Sequence, residues 1–150
     1  MLRRTVKRLR TGRYEVRLSS EERDFLRDLP NQLKALLAQA DNPALRRLFP
    51  PAYTDDQAKE AEYRRLVGED LLASRQAALD TMAATVDAAE LDEGQVAAWL
   101  SSLNDLRLVI GTQLDVSEDE NFPDTPLHHI YGYLTALEGE VIDAMAAQFD

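Results

Sequence analysis

Cysteine does not occur in this chain of 150 residues. Its absence excludes disulfide staples, thiolate metal sites, a cysteine nucleophile and any thiol switch within the chain. Histidine is almost as scarce. His128 and His129 are the only two, and as neighbours on a helix they point about 100° apart, so they cannot form an i, i+4 zinc-gripping pair. No Gly-rich phosphate loop and no GxSxG nucleophile elbow is present. The acidic stretch Asp115, Glu118, Asp119, Glu120 and Asp124 lacks the ordered spacing and the glycine of an EF-hand, and reads as a solvated loop. No apolar run approaches the roughly 20 residues that span a bilayer, and no apolar segment follows the basic N-terminus as it would in a secretory signal. These absences set the expectations: no enzyme, no metal, no cofactor, no membrane, and a cytoplasmic location.

What remains is globular in composition, 45% hydrophobic and 29% charged. A chain of this size is one ordinary domain that buries about 68–70% of its unfolded surface. The net charge of −10 hides an asymmetry. Residues 1–17 carry seven basic side chains and one acid, a balance of +6, whereas the remaining 133 residues balance at −16. The basic residues Arg3, Arg4, Lys7, Arg8, Arg10, Arg13 and Arg17 are the candidate DNA-binding strip, because a basic arm can touch phosphates locally while an acidic body repels them at long range. The plainer alternative is that the strip pairs with the acidic body in cis. No helix-turn-helix with a basic recognition helix accompanies it.

Periodicity predicts a mainly α protein: a helical bundle over residues 19–150 preceded by a short basic β-hairpin over 1–18, together one domain. In the hairpin, Tyr14, Val16 and Leu18 alternate with Glu15 and Arg17, and Thr11-Gly12 supplies the turn. Ser19 with Glu22 has capping-box spacing and opens a helix striped by Phe25, Leu26, Leu29, Leu33, Leu36 and Leu37. Pro30 inside that stripe predicts a kink or a break. Asn42-Pro43 restarts a short helix. Residues 56–89 read as a helix with a candidate interruption at Gly68. Asp92 with Gln95 caps the next helix, to about Leu114, and Thr125-Pro126 opens the last one. Its stripe is Leu127, Ile130, Tyr131, Leu134, Leu137, Val141, Ile142, Met145 and Phe149.

Three charges fall on apolar faces when residues are placed at about 100° per step. Arg107 lies among Val96, Trp99, Leu100, Leu103, Ile110 and Leu114. Arg75 lies among Leu71, Ala78, Leu79, Met82 and Val86, and Glu138 sits in the last stripe. A buried lone charge costs several kcal/mol, so each must be paired, snorkel out or bind something. The economical expectation is a network in which Glu138 bridges Arg75 and Arg107, since a guanidinium grips a carboxylate bidentately. The functional alternative is that one arginine faces a groove and holds an anion or a partner's carboxylate.

Four segments resemble an actinobacterial family of oxidative stress regulators, formerly a domain of unknown function encoded near the ClpS adaptor and cysteine-biosynthesis genes. They are Arg47 through Tyr53, with Phe49, Pro50, Pro51 and Tyr53; Glu62 through Leu66 with Glu69 to Leu72, Ser74 and Arg75; Trp99-Leu100 with Leu103 through Leu108, including Asn104 and Asp105; and Gly111-Thr112 with Leu114-Asp115. The resemblance spans roughly residues 45–116 best. It implies a redox-linked transcription regulator that binds DNA and cooperates with a sigma factor, switched by a disulfide between two closely spaced cysteines. The switch does not carry over to a chain without cysteine. The leading expectation is therefore a non-enzymatic regulator. The runner-up is a protein–protein adaptor of Clp proteolysis or of a sigma factor, without DNA, and a third reading is a bundle that binds an anion at Arg75 and Arg107. A protein partner is expected under the first two, with DNA and a second copy of the chain as further candidates.

Overall fold

The computed structural model describes residues 5–39, 42–49, 53–116 and 126–147. The chain runs β1 (Val6–Arg8), β2 (Tyr14–Val16), α1 (Ser20–Arg27), α2 (Leu29–Leu37), a 3-10 turn (Pro43–Leu45), α3 (Gln57–Ala84), β3 (Glu90–Leu91), α4 (Glu93–Val116) and α5 (Pro126–Ala146). It is mainly α, as expected, with the small sheet at its N-terminal end. Among the described residues no helix is long and apolar enough to cross a membrane.

The hairpin forms where alternation placed it, with Val6 opposite Val16 and Arg8 opposite Tyr14. Gly12 takes φ +88°, a left-handed conformation open to glycine, and closes the turn. Tyr14, Val16 and Leu18 point inward and are buried, while Arg17 is exposed. A two-stranded ribbon is marginal by itself, and two further contacts hold this one. The two-residue strand β3 pairs antiparallel with β2, with Tyr14 opposite Leu91; the sequence showed no sign of it. The far edge is pinned to α5, where the Thr5 N–H donates to Glu140 Oε1 at 2.7 Å and Arg8 donates to the Ala147 carbonyl at 2.7 Å.

Ser19 and Glu22 form the expected capping box. The predicted break is real but falls at Asp28, two residues before Pro30. Helix α1 ends at Arg27, and Pro30 sits in the first turn of α2, where its missing N–H costs nothing. Asn42 caps the next turn, which is only three residues of 3-10 helix. Helix α3 runs through Gly68 without interruption and stops at Ala84, five residues short of expectation, because the chain must turn to deliver β3. Asp92 and Gln95 cap α4 reciprocally, at 2.9 and 2.8 Å.

One hydrophobic core joins the strands to the helices, built around Trp99, Tyr14, Leu26, Leu79, Leu103 and Leu134. Helix α4 packs against both α3 and α5. The Trp99 indole N–H donates to Thr85 Oγ1 at 2.7 Å, tying α4 to the end of α3. Ile142, expected in the core stripe of α5, is 46% exposed and belongs to the surface. Phe149 lies outside the described residues.

Arg23 is a tie that sequence reasoning did not single out. Its guanidinium donates to the carbonyls of Val86 (2.7 Å), Ala88 (3.0 Å), Val16 (3.1 Å) and Leu18 (3.3 Å), so one side chain joins the hairpin, α1 and the turn before β3. Charge-assisted bonds of this kind are stronger than neutral ones. Arg23→Ala should destabilise the fold by about 3 kcal/mol. Arg23→Lys should recover less than half of that, because an ammonium cannot span four carbonyls. Urea unfolding followed by circular dichroism tests both, and equal stability of Arg23→Ala and wild type would refute the assignment.

Candidate functional site

The first six or so turns of α3, residues 57–78, hold no buried residue. Helix α3 is anchored by its C-terminal part, through Leu79 and Met82. Its N-terminal part stands beside the segment that carries the Phe49 to Tyr53 motif. Arg64 donates to the Phe49 carbonyl at 3.2 Å and to Glu60 Oε2 at 2.6 Å, and Glu60 Oε1 accepts from the Tyr53 N–H at 2.9 Å. Tyr53 stacks edge-on against Tyr63 with ring centroids 6.4 Å apart, and Lys59 lies 5.9 Å from the Tyr53 ring. Pro50 and Pro51 lie outside the described residues.

Between these elements lies an open trough of about 490 Å³. Leu37, Leu45, Leu48 and Phe49 form one wall; Tyr63, Arg64, Gly68, Leu71 and Leu72 form the other, with Arg75 at its end. The lining is mostly apolar, which suits a side chain or an aliphatic group more than a free ion. Leu71 is 37% exposed. It belongs to the apolar stripe of α3, but its side chain lines the trough, whereas the neighbouring Leu72 packs on the core.

The three charges expected to meet do not. Glu138 takes Arg107, 3.6 Å away, as anticipated. Arg75 instead pairs with Asp105 of α4, donates to the Leu48 carbonyl at 3.0 Å, and lies 5.4 Å from the Phe49 ring. The reason is geometric. Helix α4 stands between α3 and α5, and Asp105 and Arg107 point about 200° apart on it, one toward each neighbour. Glu138 on α5 has no path to Arg75 on α3. The result is two separate buried pairs. In the first, burial pushes the Asp105 carboxyl above the usual aspartate range, against the pull of the Arg75 hydrogen bond and charge. Asn104 accepts from Arg107 at 3.5 Å, and Trp99 is a core residue. Since Arg75 and Arg107 each hold a carboxylate already, an anion finds no free guanidinium between them.

The basic strip is largely tied to its own chain. Arg13 pairs with Glu90 at 3.1 Å, Arg17 with Glu15, and Arg8 with the end of α5. Lys7 and Arg10 are exposed, while Arg3 and Arg4 lie outside the described residues.

A small helical bundle joined to a three-stranded sheet, with an apolar trough open beside α3, is the class of protein that the fold defines. The chain belongs to the family described as a domain of unknown function, DUF2017, whose profile matches residues 3–145. It is 31% identical over 132 residues to the AosR protein of Mycobacterium leprae (strain TN), covering 71% of this chain and 60% of that protein. It is 26% identical over 150 residues to the oxidative stress regulator AosR of Mycobacterium tuberculosis (strain ATCC 25618 / H37Rv), covering 85% of this chain and 69% of that one. The chain thus spans about 60% of the length of the first relative. No solved structure matches it.

Proposed function

We propose that the chain is a non-enzymatic regulatory protein, related in role to the oxidative stress regulators it resembles, and that it acts by protein contact at the α3 trough. The observation that carries this reading is the trough itself: apolar side chains left open beside a helix with about six turns that bury no residue. The names of the relatives support the regulatory role. With no cysteine in the chain, a response to oxidant cannot run through a thiol of its own.

A sigma factor or a Clp adaptor of the same organism is the partner to test, each as purified protein titrated against the immobilised chain. Leu71→Asp should weaken the productive contact roughly tenfold or more, since it replaces an anchor of buried apolar area with a charge. Leu66→Ser is the control. Leu66 is 69% exposed and about 170° around the helix from the trough. Equal binding by wild type and Leu71→Asp would reject the trough as the contact surface.

DNA contact by the strip is the second reading, favoured only by the exposure of Lys7 and Arg10. It requires a mobility shift by the full chain at low salt that falls steeply with added salt and with Lys7→Ala and Arg10→Ala together.

A further inference from the structure

We infer that the groove between α1 and α5 receives a lysine side chain of a partner protein, held between two aromatic rings and two glutamates. The site is built from other elements than the trough and does not depend on that reading.

Phe25 is the first observation. Spacing predicts it in the apolar stripe of α1, but it is 37% exposed, and the adjacent Leu26 takes the core position. Its ring meets that of Tyr133 on α5, with centroids 5.6 Å apart and planes at 84°. The two rings line an open groove of about 310 Å³ together with Glu21, Glu22, His129 and Ile130. Helical spacing accounts for this lining. Positions 21, 22 and 25 share one face of α1, and 129, 130 and 133 share one face of α5, so both faces turn toward the same groove.

Charge selects the occupant. Two acids and no lysine or arginine line the groove. Glu21 is exposed, and no described residue donates to its carboxylate. Glu22 accepts the Tyr133 hydroxyl at 2.7 Å and the Ser19 N–H at 3.2 Å. Both donors are neutral, so its negative charge is not cancelled, and a carboxylate has lone pairs for a further donor. The neighbouring cation, Arg23, directs its guanidinium to four backbone carbonyls instead. Donating to a carboxylate also polarises the Tyr133 phenol and enriches its ring, and electron-rich ring faces attract cations.

Lysine suits this lining in both of its parts. Its aliphatic stem can lie on Phe25 and Ile130 while its ammonium reaches the carboxylates at the rim. The ammonium is a compact charge with rotatable donors that can serve Glu21 and Glu22 together. A planar guanidinium is matched instead to a single carboxylate in its own plane.

The test is an NMR titration of the full chain with the peptide acetyl-Ala-Lys-Ala-amide, following the ring resonances of Phe25 and Tyr133. They should shift saturably, with a dissociation constant of roughly 1–10 mM for so small a ligand. The lysine methylene signals should move upfield, the mark of protons held against aromatic rings. A peptide with norleucine in place of lysine keeps the stem without the charge, and should bind about fivefold more weakly. Glu21→Gln and Phe25→Leu should each weaken binding of the lysine peptide about threefold. Both side chains are exposed, so the fold tolerates either change. Equal binding of the norleucine peptide, tighter binding of an arginine peptide, or variants that bind like wild type overturns the inference. Shifts that grow with protein concentration alone would put a lysine of a second copy in the groove and overturn the assignment to a partner protein.

Discussion

Asp105→Ala is expected to lower the free energy of unfolding by about 3–5 kcal/mol at neutral pH, read by urea unfolding with circular dichroism. The side chain of Asp105 is 3% exposed and that of Arg75 22%. Removing the carboxylate leaves the guanidinium half-sunk between α3, α4 and the Leu48 carbonyl with no counter-charge. Most of the loss is that stranded charge and not the worth of the pair itself. Asp105→Asn keeps the shape and one acceptor, so it should cost much less. The pH dependence separates the two. Burial raises the folded pKa of Asp105 above its unfolded value, so the folded state holds that proton more tightly. The resulting contribution to stability is fully present below the unfolded pKa and fades as pH rises through the raised folded one. Asp105→Asn should abolish this part of the acid-range slope. A loss below about 1 kcal/mol for Asp105→Ala would mean that the pair is solvated and does not bind the helices together.

Trp99→Ala should cost about 4 kcal/mol, within the usual range for deleting a large buried aromatic side chain. Trp99 is 1% exposed, and it is the only tryptophan in the chain. Its indole fluorescence therefore reports core formation in every other variant. Thr85→Val tests the polar half of the same contact. It removes the acceptor 2.7 Å from the indole N–H and leaves that donor buried, at a cost of about 1–3 kcal/mol. Trp99 and Thr85 touch, so the double variant should lose less than the sum of the single losses. Strict additivity would show that the hydrogen bond contributes nothing.

The residues that read correctly from sequence are those whose signal is local. The capping boxes at Ser19/Glu22 and Asp92/Gln95 are short-range geometry written in residue types, and both formed as spaced. The hairpin followed from period-two alternation and one glycine. Arg107 and Glu138 were legible as partners because each breaks an apolar stripe. Asp105 was not. It lies about 180° from the centre of the stripe that contains Trp99 and Leu103, which on a surface helix is the solvent side. Helix α4 is buried on two sides, so that opposite face, with Ser102, Asp105, Leu106, Val109 and Thr112, is interior as well. Leu106 and Val109 were the available hint.

The absence of cysteine is a property of the sequence alone: no fold can restore a thiol that the chain does not contain. Composition and periodicity also determined the mainly helical bundle, the β-hairpin and most of the core, because propensity, capping and amphipathic spacing act within a few residues. Tertiary structure decided the rest. It assigned Arg75 to Asp105 and not to Glu138, tied most of the described basic strip back onto the protein, recruited Glu90–Leu91 as a third strand, and left half of α3 standing beside an open trough. Each depends on which elements become neighbours across distances of 30 to 140 residues along the chain, and no local pattern records that.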